Sequence, residues 1–267
     1  MRKINLVYII TKLELGGAQK QLLSLIRQLD REKFNVFLFT AREGLMMQDA
    51  LSIPDLTLNK SRCLERAINP LKDILALIEI YLFIKKNKAD IVHTHSSKAG
   101  ILGRLAAGFA KVNLVLHTVH GWSFNDYQPG WKRGFFIWLE RLAAAFTHKI
   151  IVVSQHDKVK GLANRIGSDY QYHLIRYGIS YSDFAIKDQK IKEELGITLE
   201  DSVVTMVSCL KPQKSPQDFV QLAALVAKQI PGVKFILAGD GILRLTVERL
   251  IKNLNLQNKV MLLGWRQ

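Results

Sequence analysis

The chain opens with an apolar run over residues 4–10, then Gly16-Gly17, then a segment that sets Leu22, Leu23, Ile26 and Leu29 on one helical face. That order reads as strand, glycine turn and amphipathic helix, and its recurrence is what most restricts the fold. Residues 34–39 read as a second strand, 71–84 as a helix, and 91–93 as a short strand running into a helix over 98–110. Residues 114–119 then read as a strand, 131–146 as a helix and 150–153 as a strand. Strands alternating with helices of about 10–15 residues imply an α/β fold with a parallel sheet covered on both faces.

A length of 267 residues suits two ordinary domains. Residues 177–201 carry turn residues, charges and a short helix candidate over 187–195, and read as a connection. The alternation then restarts, with strands over 203–207, 234–238 and 260–263 and helices over 216–228 and 243–254. The expected organisation is a first domain over 1–178, a linker over 179–200 and a second domain over 201–267. A doubly wound nucleotide-binding sheet usually has about five or six strands. The second domain is therefore expected to be incomplete, with the strand at 260–263 left as an unpaired edge.

Apolar residues at 48% and charged residues at 23% give the ordinary globular balance. The net charge of +15 is uneven: residues 1–180 hold 26 Lys/Arg against 14 Asp/Glu, a surplus of +12. A basic surface attracts nucleotide phosphates, anionic lipid and nucleic acid alike. No nucleic-acid recognition motif accompanies the charge, so an anionic membrane surface ranks above nucleic acid, beside the plainer reading of a soluble basic surface. Cys63 and Cys209 are too few for a disulfide framework or a four-ligand zinc site, which fits a reducing compartment. The basic start and apolar run at the N-terminus are shorter than a signal peptide requires, and no stretch reaches about 18 apolar residues. The expected location is cytoplasmic, at most peripheral on the inner face of the cell membrane.

Four constellations can carry chemistry. Gly16 and Gly17 stand where a first strand gives way to a helix, so backbone N–H groups and the helix dipole could meet a phosphate or sugar; a tight turn without a ligand is the alternative. This is not the G-x-G-x-x-G fingerprint, and no P-loop is present. His93, His95, His117 and His120 close two strands at the carboxyl end, where ligands of open α/β sheets bind. Packed or hydrogen-bonded histidines are favoured there over a metal pair, since no third ligand is apparent, and His120 opens a loop free to face a cleft. Lys211 and Lys214 lie on the loop after the second domain's first strand, where they could hold a diphosphate. Gly239-Asp240-Gly241 ends another strand, and turn chemistry alone would explain it. Trp131, Phe135, Trp138 and Leu142 fall on one stripe of a helix beside basic residues, an arrangement of interfacial and of core-facing helices, with core packing the expectation.

Gly16-Gly17-Ala18-Gln19, residues 93–100, Thr118-Val119-His120-Gly121, Val153-Ser154, Tyr177-Gly178-Ile179, Lys211-Pro212-Gln213-Lys214 and Gly239-Asp240-Gly241 form an ordered set over essentially the whole chain. The set resembles the GT-B glycosyltransferases, specifically the large retaining family 4 group that includes bacterial polysaccharide and lipopolysaccharide enzymes. The resemblance implies two Rossmann-like, doubly wound parallel-sheet domains. It also implies sugar transfer from a nucleotide-sugar donor to a lipid-linked or cell-surface glycan acceptor, with retention of configuration and without a metal or other cofactor.

By that resemblance, Gly16 and Gly17 would contact donor phosphate or sugar, and His120 would face the transferred sugar or the acceptor as the catalytic-centre residue. Lys214, with Lys211, would neutralise the departing diphosphate, and Gly239 and Asp240 belong to the same donor side. His95, Ser97 and Lys98 fall to the acceptor-side cleft. Two departures stand out. Cys209 occupies a position where the family commonly has an arginine on the diphosphate, and the family's paired glutamates would lie beyond Gln267. Activity of the chain alone is therefore in question, and the alternative is a non-catalytic sugar-nucleotide or glycan-binding remnant.

Overall fold

β1 (Ile4–Ile10) stands inside a sheet and is buried on both faces, which is why its sequence is apolar without strict alternation. Leu6, Tyr8 and Ile10 face Leu22, Leu23 and Ile26 of α1 (Gly17–Gln28), while Val7 and Ile9 join a separate core on the opposite face. The computed structural model describes residues 2–179, 181, 189–198 and 200–266. Contacts divide the chain into two units, Met1–Ile179 and Ser180–Gln267.

The first unit continues with β2 (Phe34–Ala41), α2 (Met47–Leu51), β3 (Leu56–Ser61), α3 (Pro70–Lys86), β4 (Ile91–His95), α4 (Ser97–Phe109) and β5 (Leu114–Val119). α5 (Gly130–Ala144), β6 (Lys149–Val152), α6 (Gln155–Ala163) and β7 (Tyr172–Leu174) complete it. Its seven strands are parallel, in the order β3-β2-β1-β4-β5-β6-β7. The winding reverses between β1 and β4, and a ligand crevice in such a sheet opens at that switch point.

On the second face, Ala76, Ile80 and Ile84 of α3 pack with Ala99, Ala106 and Ala107 of α4. Small residues let α4 lie close on the sheet: a Cβ on Gly103 would meet Thr94 at 2.7 Å and Ile9 at 3.0 Å. α4 also carries Arg104, fully buried, whose Nη2 donates to Glu140 Oε2 of α5 at 2.6 Å. α3 is started by Asn69, whose side chain accepts from Lys72 N, and by Pro70; Lys85 and Lys86 sit in its last turn, favourable to the helix dipole.

The expected strands and helices are present with ends displaced by no more than about two residues. Sequence reading missed β3 and β7, edge strands with few apolar residues, and α2 and α6, which are short or polar. It also misassigned the outward side of α5. Trp131, Phe135, Trp138 and Leu142 do not face the core: Trp131 is 77% and Trp138 55% exposed. Ile137, Glu140, Ala143 and Ala144 form the buried side instead.

The second unit contains α7 (Gln189–Glu194), β8 (Ser202–Val207), α8 (Pro216–Val226), β9 (Val233–Ala238), α9 (Arg244–Asn253) and β10 (Val260–Gly264). Of the helix expected over 187–195, Lys187 and Asp188 lie outside the described residues. The sheet is parallel in the order β10-β9-β8, with Val233, Phe235 and Leu237 of the central strand in its core. β10 is a sheet edge, as expected from sequence, paired with β9 on one side, and β8 is the other edge among the described residues.

Candidate functional site

In the first unit the chain leaves β1 at Thr11 and leaves β4 at Ser96, on the two sides of the switch point. Ser96 Oγ accepts from Thr11 N at 3.1 Å and lies 2.7 Å from Thr11 Oγ1, which in turn accepts from Ala99 N at 3.1 Å. These bonds hold Ser96 at φ 63° and ψ 161°, a region almost reserved for glycine. Such backbone strain costs about 1–3 kcal/mol and collects at functional sites. Its effect is a sharp turn from β4 into α4 beside His95.

β4 projects His93 and His95 to one side, and Thr94 to the other, as strand alternation requires. His93 Nε2 lies 2.8 Å from Thr118 Oγ1, and His117 Nδ1 lies 2.9 Å from Thr94 Oγ1 on the opposite face. His117 fits only because residue 100 is glycine, where a Cβ would meet its Cε1 at 2.6 Å. His95 Nδ1 lies 2.8 Å from His120 Nε2, and His120 Nδ1 is hydrogen-bonded to the Tyr177 hydroxyl.

The protons of this chain can be assigned. His95 Nε2 is buried without a partner among the described residues, and an orphaned N–H is costlier than an orphaned lone pair. His95 therefore carries its proton on Nδ1 and donates to His120 Nε2. His120 then donates from Nδ1 to Tyr177, whose own O–H is left as the outward donor. Burial pushes His93 down to about 3 and His120 to about 4, and holds His95 and His117 well below the usual imidazole range, with the neighbouring histidines adding to the effect for His93 and His95, and Arg104 and those histidines for His117. Burial, with Asp157 adding to it, raises Tyr177 to about 12. At neutral pH the cluster is uncharged, a set of hydrogen-bonding groups suited to sugar hydroxyls.

The start of α1 has a different character. Gly16 is its N-cap, with no side chain to cap the first-turn N–H groups and no acidic residue in that turn. Gly16 is extended at φ −168°, and neither Gly16 nor Gly17 has positive φ. A Cβ on Gly17 would meet nothing within 4 Å, and one on Gly16 only the flexible end of Gln19. Neither backbone conformation nor internal packing calls for glycine here. What remains is close approach from outside, to bare N–H groups at the positive end of a helix.

Of the residues assigned to an acceptor cleft, Ser97 is the first residue of α4 and is partly buried, and His95 is buried behind His120. Lys98 does not present its ammonium there. It pairs with Asp73 Oδ1 of α3 at 2.5 Å and donates to the Ala67 carbonyl, because its place in the first turn of α4 turns it toward α3.

In the second unit the loops after β8 and β9 are laced together. Leu210 N donates to Asp240 O at 2.9 Å and Leu243 N to Leu210 O at 3.0 Å. Gly239 has φ +136°, and its Cβ would fall 2.0 Å from Ser208 O; one on Gly241 would fall 2.5 Å from Leu210 O. These glycines are demanded by the fold itself. Asp240 is likewise engaged, its Oδ1 accepting from Gly241 N at 2.7 Å and its Oδ2 lying 3.4 Å from Arg244. Lys211 and Lys214 bracket the single 3-10 turn Pro212–Lys214, and neither has a carboxylate partner among the described residues.

Sequence reading gave no role to Thr11, Ser96 or the buried Arg104–Glu140 pair, and took Tyr177 only as part of a motif. Glu140 also accepts from Ser123 Oγ at 3.2 Å, so it ties the loop after His120 to α5. An ion pair 36 residues apart leaves no local pattern in the sequence.

Comparison with known proteins bears on the family and the fold. The family model described as Glycosyltransferase Family 4 matches residues 15–178, and Glycosyl transferases group 1 matches residues 187–267. The Escherichia coli UDP-Gal:alpha-D-GlcNAc-diphosphoundecaprenol alpha-1,3-galactosyltransferase is 34% identical, over 99% of this chain and 69% of its own length. The O-antigen biosynthesis glycosyltransferase WbnH of Escherichia coli is 28% identical over 78% of this chain and 52% of its own length. The chain thus spans between half and seven tenths of these relatives. Among solved structures, Anabaena HepE in complex with UDP and glucose has a TM-score of 0.77 at 18% identity, covering 98% of this chain and 70% of that one. Sucrose-phosphate synthase of Thermosynechococcus elongatus has a TM-score of 0.78 at 17% identity, covering 99% and 71%. At these identities the structural likeness is one of fold. Taken with a family match over each half and a relative similar along almost the whole chain, it shows that the chain belongs to the GT-B glycosyltransferases of family 4 and group 1.

Proposed function

We propose that the chain transfers a hexosyl group from a UDP-sugar to a sugar carried on a lipid diphosphate, with retention of anomeric configuration. One observation carries this reading: the uncapped start of α1 at the β1–β4 switch point bears two glycines that nothing among the described residues requires. A diphosphate or the sugar next to it would meet the free N–H groups of that turn. Sugar hydroxyls would enter the neutral network at the Tyr177 hydroxyl, with His120 held behind it by His95. Within the second unit, Lys211 and Lys214 on the loop after β8 offer cations to a diphosphate.

Negative charge develops on the departing diphosphate, and preorganised cations and N–H dipoles stabilise it without a metal cofactor. The names of the E. coli relative and of the Anabaena complex support uracil as the base, and the former supports a lipid-diphosphate acceptor. The test is transfer from radiolabelled UDP-galactose to a synthetic GlcNAc-diphospholipid, with and without EDTA. Label should pass to the lipid phase equally in both, with an α-anomeric product by NMR. No transfer, or a β product, would contradict the reading.

A further inference from the structure

β3 is the outer strand of the first sheet, two strands from the β1–β4 switch point, and among the described residues its backbone pairs only with β2. The N–H and C=O groups of alternate residues along its other side are therefore open. α3 does not close that side. Its core residues Ala76, Ile80 and Ile84 pack with Val7, Ile9, Phe39 and Val92, over β1, β2 and β4. A groove of about 680 Å³ is left between the length of β3 and the second half of α3. Leu82, 58% exposed, and the half-buried Phe83 form its apolar wall, and Phe83 is fixed by an edge contact with Phe37, the ring centroids 6.3 Å apart.

The groove is charged in one sense. Lys60 near the end of β3, Arg62 just after it and Lys86 on α3 line it, all exposed and none with a carboxylate partner among the described residues. The one carboxylate in the lining, Glu79, is taken by the Ser61 hydroxyl, which itself accepts from Cys63 N at 3.1 Å and Leu64 N at 2.9 Å. An open sheet edge takes up extended peptides by main-chain bonds, while alternate side chains supply selectivity. A strand added here would lie about 4.8 Å beyond β3, with every second side chain turned toward Leu82 and Phe83. The side chains between would fall on the face that carries Lys60, where acidic groups find cations. A second copy at this edge would instead set lysine against lysine, and edge lysines guard against such pairing.

We infer that the groove between β3 and α3 takes an extended segment of a partner protein, in which apolar and acidic residues alternate, as a further strand of the sheet. The inference stands on this edge alone and needs neither donor nor acceptor. It is tested with a fluorescein-labelled, end-blocked peptide of alternating valine and glutamate, by anisotropy on the full chain and by hydrogen exchange of residues 56–61. Saturable binding is expected, with slowed exchange at β3. Lys60→Glu with Arg62→Glu, and separately Leu82→Ser, should each weaken it by about tenfold or more, and lysine in place of glutamate in the peptide should abolish it. Leu225→Ser, an exposed position of the second unit, should not change it. N-methylating every second peptide amide removes the donors along one edge only, so one of the two alternate methylated sets should lose binding and the other keep it. No binding by folded chain, binding indifferent to both methylated sets, or protection that falls outside β3 would overturn the proposal.

Discussion

His95 Nδ1 lies 2.8 Å from His120 Nε2, with the two rings stacked at an interplanar angle of 26°, so a buried residue of β4 fixes the ring that follows β5. Three further groups, His93, His117 and Tyr177, complete a neutral cluster whose histidines gain a proton far more readily once the chain unfolds.

The cluster makes stability depend on pH. A histidine whose folded pKa is depressed binds more protons unfolded than folded, so its contribution is intact above about pH 6.5 and is lost as pH falls from there toward its folded value. His93, pushed down to about 3, removes about 2 kcal/mol by pH 5, and His95 and His117 act in the same direction. Urea titrations of the first unit's unfolding at pH 7.5 and pH 5 should show this loss, and His93→Gln should lessen it. Equal stability at both pH values would refute the assignment of neutral buried histidines.

Two glycine substitutions should separate ligand space from fold. Gly17→Ala meets no atom and lies in a helix, so stability should hold or rise by up to about 1 kcal/mol, while UDP-sugar affinity falls about tenfold. Gly239→Ala forces a Cβ into Ser208 O at positive φ, so the second unit should lose more than about 1 kcal/mol. Thermal unfolding and calorimetric titration of both variants check the contrast. A Gly17→Ala protein that unfolds early yet binds normally would reverse the roles.

The Arg104–Glu140 pair is enclosed, with side chains 0% and 2% exposed. Glu140→Ala leaves a buried guanidinium without its carboxylate and should cost about 3–5 kcal/mol, whereas Arg104→Met with Glu140→Leu should recover most of it. Because Ser123 also bonds to Glu140, the double variant should loosen the His120 loop and lower kcat more than it lowers stability. Denaturation midpoints and turnover of the three proteins decide this.

How far these features were legible in the sequence depends on their range. β1 and β9 were plain because a strand buried on both faces is a run of apolar residues, while β3 and β7 sit at or near edges and carry little of that signal. The stripe on α5 was equally plain, but periodicity does not say which side meets the core. Small residues and a neutralised ion pair took that side, leaving the large aromatics outward. Histidines at strand ends pointed to the site, yet their pairing across β4 and β5 is set by register, as is the capture of Lys98 by Asp73. At the second unit, turn chemistry was the expectation for Gly239-Asp240-Gly241, with Gly239 and Asp240 on the donor side by resemblance, and loop packing requires both glycines.

The central claim, that the start of α1 in the first unit and, separately, the lysines after β8 in the second unit meet a sugar nucleotide, has its most direct test in calorimetric titration of the chain with UDP and UDP-galactose. The account expects saturable binding, weakened about tenfold or more by Lys214→Ala or by Gly17→Ala, and weaker at high salt. Lys98→Ala, which breaks an ion pair to Asp73, should instead lower stability and leave binding in place. No heat with UDP, GDP or their sugars from folded protein, or binding indifferent to both Lys214 and Gly17, would contradict it.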